Sequence, residues 1–182
     1  MPRTEASVLG ILGSGVQARS HLEALRLVRT FREVRVWSPR SAPAFAKQFG
    51  VRAAASAEEA VRGADVVVVA TTSQTPVLHG AWLAPGTHVN AVGAPRPTWR
   101  ELDDDALGKA KLYVESREAA MLESGDVIAS GRIFAEIGEV VMGTRPGRQS
   151  PDEVTLYKSV GVAVQDVVSA DLVYRKARAA GR

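Results

Sequence analysis

Between Val8 and Ala18 the chain reads Val-Leu-Gly-Ile-Leu-Gly-Ser-Gly-Val-Gln-Ala, an apolar run that breaks on glycines and passes directly into a helical repeat. Ser7 to Leu12 has the length and apolarity of a buried strand, and Val16, Leu22, Leu25 and Val28 recur on one face of a helix. The tight turn between them, Gly13-Ser14-Gly15-Val16-Gln17-Ala18, fits the pattern G-x-G-x-x-A. In that pattern the first glycine permits the turn, the second admits a pyrophosphate close to the backbone, and the small sixth residue lets helix and strand pack closely. The N–H groups at the helix start would then face the anion. The competing reading is a glycine-rich connection with no ligand.

The same alternation continues. Glu33 to Trp37 reads as a second strand stopping at Ser38-Pro39, followed by a short helix from about Pro43 that ends near Gly50. Ser56 and Glu59 have capping-box spacing, so a short helix is expected up to Gly63. It leads into Val66-Val67-Val68-Val69, an all-apolar strand suited to a sheet covered on both faces. His88 to Gly93 and Lys111 to Val114 repeat the strand pattern. Thr98 with Glu101 or Asp103 is expected to open one intervening helix, and Ser116 the next. Gly143 to Pro151 reads as a surface loop. After it come a strand-like Val154 to Tyr157 and a helix carrying Val160, Val164, Val167, Val168 and Leu172 on one face, with Arg175, Lys176 and Arg178 at its basic end. Strands alternating with helices indicate the doubly wound α/β class: a Rossmann-like parallel sheet with helices on both faces, plus a C-terminal helix. The 182 residues, 46% of them apolar, suffice for about one domain with a sizeable core.

In open parallel sheets ligands bind beyond the carboxyl ends of the strands. Gly13, Ser14 and Gly15 occupy the first such end. At the second, an NAD site usually carries a carboxylate for the ribose 2′-hydroxyl, and here stand Ser38-Pro39-Arg40-Ser41. Two hydroxyls and a guanidinium, with no acid to repel a 2′-phosphate, favour NADP over NAD. The alternative for Arg40 is a solvated turn residue. Thr71-Thr72 and Val92-Gly93-Ala94 lie at two further strand ends, where cofactor contact and ordinary turn chemistry are equally open. Serine-hydrolase, zincin and Walker patterns are absent. His21, His79 and His88 lack ligand spacing, Asp103-Asp104-Asp105 reads as helix-start charge, and no metal site is expected. The absence of cysteine removes disulfides and thiolate chemistry and is compatible with the cytoplasm. A net charge of +3 without a basic aromatic patch argues against nucleic acid. The longest apolar run, Val66 to Ala70, is far short of a membrane helix.

With these motifs in hand, the chain resembles the ornithine cyclodeaminase and mu-crystallin family. The marks are Ile11 to Ala18, Asn90-Ala91-Val92-Gly93-Ala94, Trp99-Arg100-Glu101-Leu102-Asp103-Asp104, Glu123-Ser124-Gly125-Asp126-Val127 and Tyr157-Lys158-Ser159. The resemblance implies a cofactor site at Ser14, Val16, Gln17, Ser38, Arg40, Thr71, Thr72, Val92, Lys158 and Ser159, with Ala94 and Glu123 near a substrate or hormone pocket. It implies NADPH-dependent reduction of a cyclic ketimine carboxylate, a homodimer in the complete protein, and, as an alternative, an NADPH-regulated thyroid-hormone-binding or crystallin-type protein without catalysis. Pro95 stands where cyclodeaminases carry an aspartate, which disfavours cyclodeamination. Pro39 displaces the loop arginine by one position. The family has a substrate-binding half before its nucleotide domain, and this chain opens at the first Rossmann strand. The expectation is therefore a truncated chain: residues 1–143 as NADP-binding domain, and 144–182 as a loop, strand and helix that pack on the absent half. No catalytic residue is assigned.

Overall fold

The structure is a computed structural model, and it describes residues 2–181. Eight strands form one sheet: β1 (Val8–Leu12), β2 (Glu33–Trp37), β3 (Arg52–Ala53), β4 (Val66–Val69), β5 (His88–Ala91), β6 (Ala110–Val114), β7 (Ala135–Glu136) and β8 (Val154–Lys158). Their order is β3-β2-β1-β4-β5-β8-β6-β7, and each adjacent pair runs parallel. The helices are α1 (Val16–Val28), α2 (Ala42–Phe49), α3 (Ala57–Val61), α4 (Asp104–Lys109), α5 (Arg117–Glu123), α6 (Gly125–Ser130), α7 (Ile137–Val141) and α8 (Ala163–Ala179). This is the doubly wound α/β architecture that the alternating pattern implied.

Two apolar clusters, one on each face of the sheet, hold the layers together. In β4, Val66 and Val68 enter one cluster with Ala18 and Leu22 of α1 and with Ala42, Phe45 and Ala46 of α2. Val67 and Val69 enter the other, with Ala60 and Val61 of α3, Ala106 and Leu107 of α4, and Val127 of α6. The strand's period of two thus sends alternate valines to opposite cores, and all four are buried. Full burial of such a side chain stabilises by about 1.5–3 kcal/mol.

Local signals set the helix ends. Gly50 closes α2 in the left-handed conformation at φ 62°, and Ser56 accepts a hydrogen bond from Glu59 N at 3.0 Å to open α3. Ser116 caps α5 in the same way. The helix expected to open at Thr98 starts instead after Asp103, whose carboxylate accepts from Ala106 N at 2.8 Å. Thr98 lies outside it, and Glu101 is fully buried. The strand following the 143–151 loop is inserted between β5 and β6, interior to the sheet. By contrast α8 buries none of its residues, and Val164, Val167, Val168, Leu172 and Val173 stay exposed.

Two substitutions separate these environments. Leu22→Ala, at a fully buried position of α1, is expected to cost about 2–5 kcal/mol, whereas Leu172→Ala in α8 should fall within about 0.5 kcal/mol of the parent. Urea unfolding of the two variants measures both.

Candidate functional site

The chain leaves β1 for β2 on one side, and β4 pairs with β1 on the other. Beyond the carboxyl ends of β1 and β4 the connections part, and a cleft of about 440 Å³ opens there. It is lined by Gly13, Ser14 and Gly15, by residues 37–41, by 70–73 and by Val77. Backbone bonds anchor its rim: Gly13 N donates to Trp37 O, and Ala70 N donates to Leu12 O, each at 2.8 Å. Gly13 has φ +110°, and a β-carbon there would lie 2.2 Å from the Ala70 carbonyl oxygen. Only glycine fits that turn. At Gly15 a β-carbon would meet nothing within 4 Å, so that side of the turn faces open space.

Electrostatics follow from the same backbone. Gly15 is the N-cap of α1 and offers no side chain to the first N–H groups, and the first turn of this 13-residue helix contains no acid. Its donors and the positive end of its dipole are left for an anion. Across the cleft, Ser14 Oγ lies 2.9 Å from Ser38 Oγ and 2.6 Å from Ser41 Oγ, and Ser38 and Ser41 are 3.2 Å apart. Arg40 is exposed beside this triangle of hydroxyls and has no hydrogen bond or ion pair among the described residues. No carboxylate lines the cleft. Such a lining presents hydrogen-bond donors and one cation without an opposing acid.

Across residues 1–181 the chain matches the model of the ornithine cyclodeaminase/mu-crystallin family. The chain belongs to this family. It is 51% identical over 174 residues to ketimine reductase mu-crystallin of Macropus fuliginosus, covering 93% of this chain and 55% of that protein. The structure of the Thermococcus litoralis Delta(1)-pyrroline-2-carboxylate reductase in complex with NADH and L-proline superposes with a TM-score of 0.91 at 38% identity, over 100% of this chain and 61% of that one. An archaeal alanine dehydrogenase dimer with bound NAD superposes at 0.92, also at 38% identity, over 100% of this chain and 61% of that chain. The chain therefore spans little more than half the length of the relatives it matches.

Of the family-implied positions, Ser14, Ser38, Arg40, Thr71 and Thr72 line the one cleft, together with Gly13, Gly15 and Ser41. Val16 and Gln17 are exposed on the first turn of α1. Val92 follows β5, its N–H bonded to Val69 O. Ala94 is buried at φ +51°, the one non-glycine residue with positive φ among those described. Glu123 ends α5 with its side chain in solvent. At the carboxyl end of β8, Lys158 and the following Ser159 both have protein partners. Lys158 is fully buried, donating to the Gly93 carbonyl and standing 3.2 Å from Asp126 Oδ2, its strand being interior to the sheet. Ser159 Oγ donates to Glu115 Oε1 at 3.0 Å.

Glu101 and Asp126 are the residues whose place the residue pattern did not reveal. Glu101 Oε1 accepts from Thr71 N at 2.7 Å and from Thr71 Oγ1 at 2.5 Å. Asp126 Oδ1 accepts from the backbone N of Glu101 and of Leu102. In sequence both look like surface charge near a helix start, and only their recurrence inside the family marks hints otherwise.

Burial pushes the Glu101 carboxyl above its ordinary range, against the opposing effects of the Thr71 hydrogen bonds and the Lys158 ammonium. The folded state thus holds this proton more tightly than the unfolded chain. The resulting stability is fully present below about pH 4.5, the ordinary value, and is lost as pH rises through the folded pKa. Glu101→Gln is expected to flatten that decline in urea unfolding across a pH series. Separately, Gly13→Ala should destabilise the fold by about 1–3 kcal/mol through its strained backbone and clash. Gly15→Ala should leave the unfolding midpoint close to the parent while crowding the cleft, which dinucleotide fluorescence titration would show as weakened binding.

Proposed function

We propose that the chain is the dinucleotide-binding part of an NADPH-dependent reductase that acts on the C=N bond of cyclic ketimine carboxylates. The observation that carries this reading is the cleft at the switch point. It is opened by the Gly13-Ser14-Gly15 turn and lined by the hydroxyls of Ser14, Ser38, Ser41, Thr71, Thr72 and Ser73 and by Arg40, which has no ion pair among the described residues, with no carboxylate in the lining. The similarity to ketimine reductase mu-crystallin and to a pyrroline-carboxylate reductase structure containing NADH supports the reaction class.

When bound, the reduced nicotinamide supplies the hydride. The chain's own groups bind and orient. The Gly13–Gly15 turn and the open N–H groups of α1 take the pyrophosphate. Ser38, Ser41 and Arg40 receive the 2′-phosphate through charge-assisted hydrogen bonds, while Thr71 and Thr72 form the wall beside it. Ala94 and Glu123 are proposed on the substrate side. The cleft-lining side chains are hydroxyls, one guanidinium and apolar groups, none of which exchanges a proton readily near neutral pH. The proton for the substrate nitrogen is accordingly assigned to groups outside this lining, and the exposed valine face of α8 to packing against further protein in the complete enzyme.

Fluorescence titration with NADPH and with NADH tests the reading. NADPH should bind at least tenfold more tightly, and Arg40→Asp should reverse that order. Equal affinities of the parent chain for the two would overturn the NADPH assignment, and no binding of either would overturn the function.

A further inference from the structure

Next to the cleft-lining Thr71 lies a buried polar cluster that does not itself line the cleft. Glu101, Asp126 and Lys158 are respectively 0%, 1% and 0% exposed. They come from three separate places in the chain: the connection after β5, the first turn of α6, and the last residue of β8. Burying three ionisable side chains together costs several kcal/mol each unless they are paired and hydrogen-bonded, so the cluster calls for a physical reason. The one ammonium lies 3.2 Å from Asp126 Oδ2 alone, and Glu101 Oε2 has no hydrogen-bond partner among the described residues.

Two contacts of the cluster reach the cleft lining directly, at Thr71 and Val77. Glu101 Oε1 takes both the peptide N–H and the hydroxyl of Thr71, a cleft-lining residue at the end of β4. The Thr71 hydroxyl oxygen in turn accepts from Ser73 N at 3.0 Å, so the turn over residues 71–73 is tied at both ends. The Glu101 carboxylate also rests on Gly93 at the end of β5, where a β-carbon would lie 2.2 Å from Oε2. Lys158 donates to the Gly93 carbonyl, and Asp126, beside Lys158, receives the Glu101 and Leu102 N–H groups at 3.0 and 3.1 Å. The Glu101 carbonyl accepts from Val77 N and Leu78 N at 2.9 Å each, which anchors the far end of the cleft wall.

We propose that Glu101 is a positioning residue for the cofactor cleft: its carboxylate holds the Thr71 peptide and hydroxyl in the geometry that receives the dinucleotide, and the Asp126–Lys158 pair holds the Glu101 backbone and the Gly93 carbonyl in register with it. The loops after β4 and β5 are thereby fixed before any ligand arrives, and the ordering cost falls on folding instead of on binding. Glu101 acts through Thr71 and touches neither coenzyme nor substrate. The inference rests on the dinucleotide-binding reading proposed above.

The test combines a ligand-free signature with a coupling measurement on the 182-residue chain. In ¹⁵N-resolved NMR spectra without ligand, the Thr71 amide proton is expected at unusually low field and should move upfield in Glu101→Gln. An unmoved resonance overturns the proposal. In NADPH fluorescence titrations, Glu101→Ala should weaken binding about tenfold or more, and Glu101→Gln, which keeps the acceptor oxygen, should restore it to within about threefold. Thr71→Val should remove most of the effect, so that adding either Glu101 variant changes the affinity less than twofold; factors that multiply independently overturn the proposal. If Glu101→Ala does not fold, the Gln variant, its pair with Thr71→Val and the amide resonance decide. A parent chain that binds neither NADPH nor NADH overturns both the function and this inference, whereas a parent that binds, with variants that bind equally, overturns only the positioning role.

Discussion

The chain's departure from β1 toward β2, with β4 hydrogen-bonded to the other side of β1, is the constraint on which the rest of the structure depends. Parallel strands have to be joined by crossovers, and the two crossovers here leave in opposite directions, so no chain covers the place where they part. The backbone stays satisfied up to the edge, with Gly13 N on Trp37 O and Ala70 N on Leu12 O. The turn at the edge is then pressed against the Ala70 carbonyl, which leaves room for glycine alone. A cleft with exposed N–H groups at its mouth follows from these backbone relations before any side chain is considered.

Side chains then decide what the cleft receives. The rim presents serine hydroxyls and a solvent-facing guanidinium and lacks acids, so its field favours anions. Next to it the arrangement inverts: two carboxylates and one ammonium are enclosed where water does not reach. Charges so placed interact strongly at low effective dielectric and tolerate little displacement. A solvated, adaptable rim beside a rigid buried cluster is the division expected of a site that binds a flexible, highly charged ligand in one orientation.

The last strand and the last helix belong to two different settings. β8 is an interior strand, with β5 on one side and β6 on the other, and its Leu156 lies in the core. Five residues on, α8 begins and buries nothing, although its valines recur at helical spacing. An apolar stripe of that size on a surface is ordinarily covered by protein, and the family members with which this chain aligns are considerably longer than the segment matched.

Much of this was legible in the residue order. Glu33 and Trp37 bound β2 as expected, Ser56 and Ser116 cap their helices, Gly50 closes α2, and the glycine turn of Gly13 with the Ser38–Ser41 loop marks the cleft, because each of these signals is a local backbone requirement carried by one or two side chains. The two-residue strands β3 and β7 carry no periodicity of their own and exist only as edges paired to longer neighbours. The insertion of β8, the burial of Glu101 beside Thr71, 30 residues earlier in the chain, and the pairing of Asp126 with Lys158 were decided by tertiary structure alone. The amino-acid order by itself determined the fold class and the glycine turn at the cleft, since strand period, helix period and glycine geometry act over a few residues. Which charges lie in the interior, and which loops they hold, depends on contacts between distant segments, and those exist only once the sheet has closed around them.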